Sequence, residues 1–181
     1  MVSQIYPVEA DSHLLREAAL DEVRPGESVL EVGTGSGYIA AALSPFARVL
    51  ATDINPHAVR SAYCLGLAVA RADLLHGIRG PFDLILFNPP YLPTRREDRI
   101  HDWLEYALDG GETGRVVIER FARDSGRVLS EGGRVLILIS SLTGIPEVCH
   151  LFLKHGWEAG IIRRAPIFDQ EELCVLRCTR I

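Results

Sequence analysis

The sequence is poor in several things that mark particular protein classes. It has a single lysine, Lys154, and a single methionine among 181 residues, and 24 acidic residues outnumber 19 basic ones. The net charge of −5 supplies no whole-molecule field that would draw the chain to nucleic acid or an anionic membrane. Neither is expected as a partner, although a net sum leaves room for a local basic patch. The four cysteines, Cys64, Cys149, Cys174 and Cys178, form no CxxC pair and have no histidine at ligand spacing. No metal site and no secreted disulfide framework are therefore expected, and buried thiols in a reducing cytoplasm are the simpler reading. No apolar run approaches the roughly 20 residues that cross a bilayer. The amino end lacks the basic region, apolar run and cleavage site of a leader, so the expected location is cytoplasmic. The six histidines are scattered without ligand spacing, and none is assigned to catalysis.

What is present is a globular composition, 48% hydrophobic and 24% charged, with no repeat and no low-complexity linker. A single domain over residues 1–181 is expected. Apolar runs suited to buried parallel strands occur at Ser28–Val32, Val49–Asp53, Ala68–Ala70, Phe82–Phe87 and Gly133–Ser140. Helical patterns alternate with them at Ser12–Glu22, Tyr38–Ser44, Ala58–Cys64, Gly114–Val128 and Pro146–His155. Pro25-Gly26 stops the first helix, Asn55-Pro56 starts another, and Glu131-Gly132-Gly133 reads as a turn into a strand. Two further β-rich runs, Trp157–Arg164 and Leu173–Arg180, leave no room between them for a crossover helix and must pair antiparallel. The pattern predicts an α/β fold: a doubly wound, mostly parallel seven-stranded sheet with one antiparallel strand. In such sheets ligands sit beyond the carboxyl ends of the central strands.

The strand ends carry the chemistry. The first strand runs into Gly33-Thr34-Gly35-Ser36-Gly37, whose glycines permit a tight turn and close approach of a ligand to the backbone. The second ends at Asp53, 20 residues after Gly33, where a carboxylate can accept from both hydroxyls of a ribose. The third ends at Ala72-Asp73-Leu74, where a second acid is placed to meet an adenine amino group or simply to cap a turn. A dinucleotide fingerprint wants Gly or Ala where Tyr38 stands, so a pyrophosphate is disfavoured. Glu31, in the strand itself, would repel a pyrophosphate and stabilise an ammonium or sulfonium cation. S-adenosylmethionine is such a cation.

The fourth strand ends in Asn88-Pro89-Pro90-Tyr91, the most specific signal in the chain. Two prolines stiffen the backbone and remove two N–H donors, the Asn88 side chain supplies a carbonyl acceptor, and Tyr91 supplies a flat face. Acceptors that engage both N–H bonds of an amide or aromatic amine orient its delocalised nitrogen and favour the charge that develops on methylation.

On these motifs the chain resembles class I S-adenosylmethionine-dependent methyltransferases of the NPPY type. Within them it resembles the HemK-related glutamine methyltransferases of the short eukaryotic and archaeal branch. The resemblance runs from Ile5–Ser12 through LEVGTGSG, ATDINP, ADLL, FNPPYLP and GGETGR to ELCVLRC. Only 27 residues precede the first strand, so the amino-terminal helical domain of bacterial members is not expected here. The resemblance implies a Rossmann-like fold, S-adenosylmethionine as cofactor, and N(5)-methylation of the glutamine in the Gly-Gly-Gln loop of a class I peptide chain release factor. It implies that Ser12 contacts the methionine part of the cofactor and Tyr6 lines the pocket. Glu31, Gly33 and Gly35 would form the cofactor turn, Asp53 would hold the ribose, and Asp73 with Leu74 would frame the adenine. Asn88 would serve cofactor and substrate, with Pro89, Pro90 and Tyr91 shaping the acceptor slot and Asp109–Gly114 bordering it. It further implies a small zinc-binding activator subunit added at the sheet edge formed by Ala68–Ala70. There Leu65 and Leu67 either stand exposed or are covered by the chain's own helix. The same motif would also suit an exocyclic base amine in RNA or DNA, or a protein lysine. A cofactor-binding scaffold subunit is the non-enzymatic alternative. The segment Thr94–Arg99 would meet an acidic or phosphate surface at the entrance, or form a solvated loop of mixed charge.

Overall fold

In a computed structural model the chain is described over residues 4–94, 102–167 and 171–181. The apolar runs pair into one sheet, its central strands buried on both faces and its two edge strands largely open. The strands are β1 (Ser28–Val32), β2 (Arg48–Asp53), β3 (Ala68–Arg71), β4 (Phe82–Phe87), β5 (Leu129–Ser140), β6 (Trp157–Pro166) and β7 (Glu172–Arg180). Their order across the sheet is β3-β2-β1-β4-β5-β7-β6. All neighbours are parallel except that β7 runs against both β5 and β6, so β7 is the one antiparallel strand. The expected architecture is the one observed.

The helices are α1 (Ala10–Glu22), α2 (Tyr38–Leu43), α3 (Pro56–Cys64), α4 (Glu105–Leu108), α5 (Val116–Ser125) and α6 (Ile145–Lys154). Period-two alternation along β5 divides the core. Leu136 and Leu138 face Leu14, Leu15, Ala18 and Ala19 of α1 with Ile39 and Leu43 of α2. Val135, Ile137 and Ile139 face Ile118 and Phe121 of α5 with Val148 and Phe152 of α6. Trp157 is fully buried on that second side, its indole N–H donating to the Ala122 carbonyl at 2.9 Å. Arg134 of β5 is also buried, held by Glu22 at 2.8 Å and Glu27 at 2.9 Å, which ties the end of α1 and the turn after it to the sheet.

Three local expectations change. The Glu131-Gly132-Gly133 turn is part of β5: pairing of Phe82 with Leu129 extends that strand backwards across a register shift, with Gly132 at φ +71°. Helix α5 is shorter than the periodicity of Gly114–Val128, because the glycine-rich turn consumes its start. The four-residue helix α4 has no sequence signal of sufficient length to be anticipated. Conversely, Asn55 caps α3 as expected, accepting from His57 N at 2.9 Å with Pro56 at the first helical position. Among the described residues no helix is long and apolar enough to cross a membrane, and no group of three or more His, Cys, Asp or Glu residues could hold a metal ion.

Candidate active site

The strand order reverses between β1 and β4, and a cavity of about 430 Å³ opens at the carboxyl ends of these strands. Its walls include Tyr6, Ser12, Glu31, Gly33, Gly35, Asp53, Asp73, Leu74 and the whole of Asn88–Tyr91, so every site residue expected from the sequence lines one space. The turn after β1 makes this possible. Gly35, at φ +56°, has nothing within 4 Å of a notional Cβ, so its backbone is open to a ligand. Gly37, at φ +85°, packs so closely on α3 that a Cβ would meet Leu65 and Ala62 at 3.0 and 3.2 Å. Asp53 buttresses the turn: Oδ2 accepts from Gly35 N and Oδ1 from Asn55 N, each at 2.9 Å.

Glu31 is only 3% exposed, and its Oε2 accepts from the Thr34 hydroxyl at 2.6 Å and from Ala40 N at 3.0 Å. Burial, with some repulsion from Asp53, pushes its carboxyl up to about 8 despite those two hydrogen bonds. Burial raises Asp53 as well, against the hydrogen bonds from Asn55 and Gly35. Two acids held above their ordinary range by burial, next to an open backbone turn, fit a cationic ligand.

Asn88 ends β4. Its Nδ2 donates to Oδ2 of Asp11 at 3.1 Å, while its own carbonyl oxygen, Oδ1, is buried and has no hydrogen-bond partner. Such an orphaned acceptor is costly unless a ligand supplies the donor. Tyr91 stands beside it, its phenol pushed up to about 12 by burial and then by the negative charges of Asp11, Glu171 and Glu9. Burial and Asp11 raise the Tyr6 phenol too, so both tyrosines remain protonated donors. The segment after Tyr91 is clamped by Asp109–Gly114. Leu92 N donates to Leu108 O at 3.2 Å and Gly110 N to Leu92 O at 3.0 Å, and a Cβ on Gly114 would meet the Tyr91 carbonyl at 2.5 Å.

Several lining residues escape the sequence reading. Asp11, 3% exposed, sits on the buried stripe of α1 that continues through Leu14, Leu15, Ala18 and Ala19. An acid on an apolar helix face is the signal that would have found it. Arg120 of α5 reaches across to Asp73, Nη2 to Oδ2 2.7 Å, so Asp73 is an ion-paired rim residue and not an unoccupied acceptor. Trp103 and Tyr106 also line the cavity, stacked at 5.4 Å, with the Arg71 guanidinium 5.4 Å from the Trp103 ring. Ser12 keeps its hydroxyl on Asp11 Oδ1 at 3.2 Å. Leu74 adopts φ +48°, unusual for a residue with a Cβ, as it turns into the cavity wall. Of the segment Thr94–Arg99 only Thr94 lies within the described residues, as His101 does not.

A seven-stranded sheet of this order, with a glycine turn, acids at successive strand ends and an Asn-Pro-Pro-Tyr loop around one cavity, defines an S-adenosylmethionine-dependent methyltransferase. The chain belongs to the methyltransferase small domain family, whose pattern matches residues 8–157. It is 36% identical to a Methanocaldococcus jannaschii protein named as a protein N5-glutamine methyltransferase, over 98% of this chain and 93% of that one. It is 34% identical to mouse methyltransferase HEMK2, over 97% and 90% of the two chains. Among solved structures, the Mtq2–Trm112 complex of E. cuniculi, described as responsible for methylation of the eRF1 translation termination factor, superposes with a TM-score of 0.81. That match has 28% identity and covers 99% of this chain and 100% of the other.

Proposed function

We propose that the chain methylates N(5) of the glutamine in the Gly-Gly-Gln loop of a class I peptide chain release factor, with S-adenosylmethionine as cofactor. The observation that carries this reading is the buried, partnerless carbonyl oxygen of Asn88, a residue that lines the cavity. A primary amide brings the N–H donor that oxygen lacks. Bound cofactor supplies an electrophilic methyl group on a sulfonium centre. The rest is work for this chain's residues. Glu31 offers a carboxylate to a nearby cation, Gly33 and Gly35 allow backbone approach, and Asp53 has remaining lone pairs for ribose hydroxyls. Asp73 and Leu74 border the adenine end together with Arg120, while Ser12 and Tyr6 close the side nearest α1. Asn88 Oδ1 accepts one N–H of the acceptor amide, orienting its nitrogen and stabilising the positive charge that develops there. Pro89, Pro90 and Tyr91 form the walls that hold the amide plane. No strong base is required before transfer, because the methylated nitrogen loses its proton readily afterwards.

A small activator subunit at the β3 edge belongs to the same proposal. Strand β3 is one of the two sheet edges, and although α3 packs beside it, Tyr63 and Leu65 remain 71% and 56% exposed. The structural relative described above is itself a complex with Trm112. A zinc-binding character of that subunit is part of the proposal, as is a cytoplasmic setting; the four cysteines are free thiols, of which Cys174 and Cys178 are buried as expected while Cys149 is partly buried and Cys64 is exposed.

The test is transfer of radiolabelled methyl groups to purified release factor, its Gln→Ala variant and RNA in parallel, with and without the activator. Label on the release factor that disappears with the glutamine supports the reading. Label that persists in the variant, or that goes to RNA, overturns it.

A further inference from the structure

We propose that Asp11 is a positioning residue that decides which end of the Asn88 amide faces the methyl acceptor. The two ends of a primary amide are nearly the same size, so shape alone does not keep the oxygen toward the acceptor slot. A donor there would meet the N–H bonds of the substrate, donor against donor. What distinguishes the two orientations is the neighbour behind Asn88. Asp11 Oδ2 lies 3.1 Å from Asn88 Nδ2, and a carboxylate only accepts, so it holds the NH2 group and leaves Oδ1, the other end of the amide, without a partner.

Asp11 is itself held. Its Oδ1 accepts from the Ser12 backbone N–H and hydroxyl, and it is 3% exposed at the start of α1. The contact spans 77 residues, from the first helix to the end of β4. The first helix thereby sets the orientation of a loop that its own stiffness cannot supply, because the two prolines fix the backbone of 89 and 90 but not the side-chain torsion of 88.

The proposal rests on the reading of Asn88 as the group that holds the acceptor, and its test is built to fail separately. Asp11→Asn has one acceptor atom where the Ser12 N–H and hydroxyl, the Tyr6 phenol and the Asn88 amide each need one, so Asn88 is released to turn. Turnover should fall about 10²-fold, a larger loss than that of cofactor affinity measured by calorimetry. Asn88→Asp alone sets two carboxylates against each other. The double variant Asp11→Asn/Asn88→Asp reverses the hydrogen bond and leaves one carboxylate oxygen facing the slot, so its turnover should exceed that of either single variant. Wild-type turnover in Asp11→Asn, or a double variant no better than Asn88→Asp, overturns the proposal.

The second readout is the Asn88 side-chain amide in 15N-labelled wild-type protein without cofactor. One of its protons should be protected from solvent exchange, and the protection should vanish in Asp11→Asn. Absence of that protection in the wild type overturns the proposal whatever the variants do, including failure to fold. If the wild-type enzyme leaves release factor unmethylated, the functional reading fails while this amide signal still decides the role of Asp11.

Discussion

Glu31 illustrates how a single buried acid can report on ligand binding. Its carboxyl ordinarily titrates at 4.5 and is pushed up to about 8 in the fold. Between those values the folded state keeps a proton that the unfolded state has lost. Its contribution therefore makes the cofactor-free protein less stable as pH rises through that window, and Asp53, raised in the same direction, acts with it. The cofactor-free melting temperature is expected to fall from pH 6 to pH 8, and Glu31→Gln should flatten that dependence. A bound cation reverses the preference, so cofactor binding near neutral pH should release protons. Calorimetry in buffers of different ionisation enthalpy detects this, and Glu31→Gln should abolish it. At Asn88 the expectation is a split: Asn88→Ala leaves cofactor binding detectable by calorimetry, while turnover falls about 10²-fold or more. Asp53→Ala should weaken cofactor binding by about 1–3 kcal/mol, through lost hydrogen bonds and a slackened Gly35 turn. Asn88 was legible in the sequence because prolines follow it at the end of an apolar run. Asp11 carried the mark of an acid on an apolar helix face, but its pairing with Asn88 spans 77 residues and only the folded chain brings them together. Asp73 was legible as an acid at a strand end, but its pairing with Arg120 depends on where α5 packs.

At the scale of elements, the catalytic loop is braced by a segment with no catalytic group of its own. Asp109 Oδ1 accepts from Gly111 N at 2.7 Å, Thr94 N donates to Gly111 O at 3.0 Å, and Gly114 comes up against the Tyr91 carbonyl at φ +70°. Gly114→Ala strains that φ and collides with a backbone oxygen. It should destabilise the protein by about 1 kcal/mol or more and reduce turnover, with cofactor affinity retained, as thermal melts and kinetics would record. Strands and helices with one clear periodicity were read within a few residues of their observed bounds, since burial on one or both faces dictates the pattern. The elements misjudged are those governed by tertiary pairing. Strand β5 begins early because Leu129 meets Phe82, and α4 is too short to leave a period in the sequence.

For the whole molecule, the alternation of strands and helices with a closing hairpin was enough to anticipate the sheet and its antiparallel strand. The cavity followed from the reversal of strand order. What the alternation leaves open is what covers the edges. If β3 receives an activator, Leu65→Glu should abolish the complex in size-exclusion chromatography while leaving the melting temperature of the isolated chain nearly unchanged, because Leu65 is more than half exposed. The same 181 residues then act as a catalytic core whose substrate recognition is shared with another chain. The central claim is the identity of the methylated atom, and tandem mass spectrometry of release factor after incubation with cofactor and enzyme addresses it most directly. The account predicts one added methyl group, on the side chain of the Gly-Gly-Gln glutamine, with the wild-type enzyme and none with Asn88→Ala. A methyl group on any other residue, or equal modification by the variant, would contradict it.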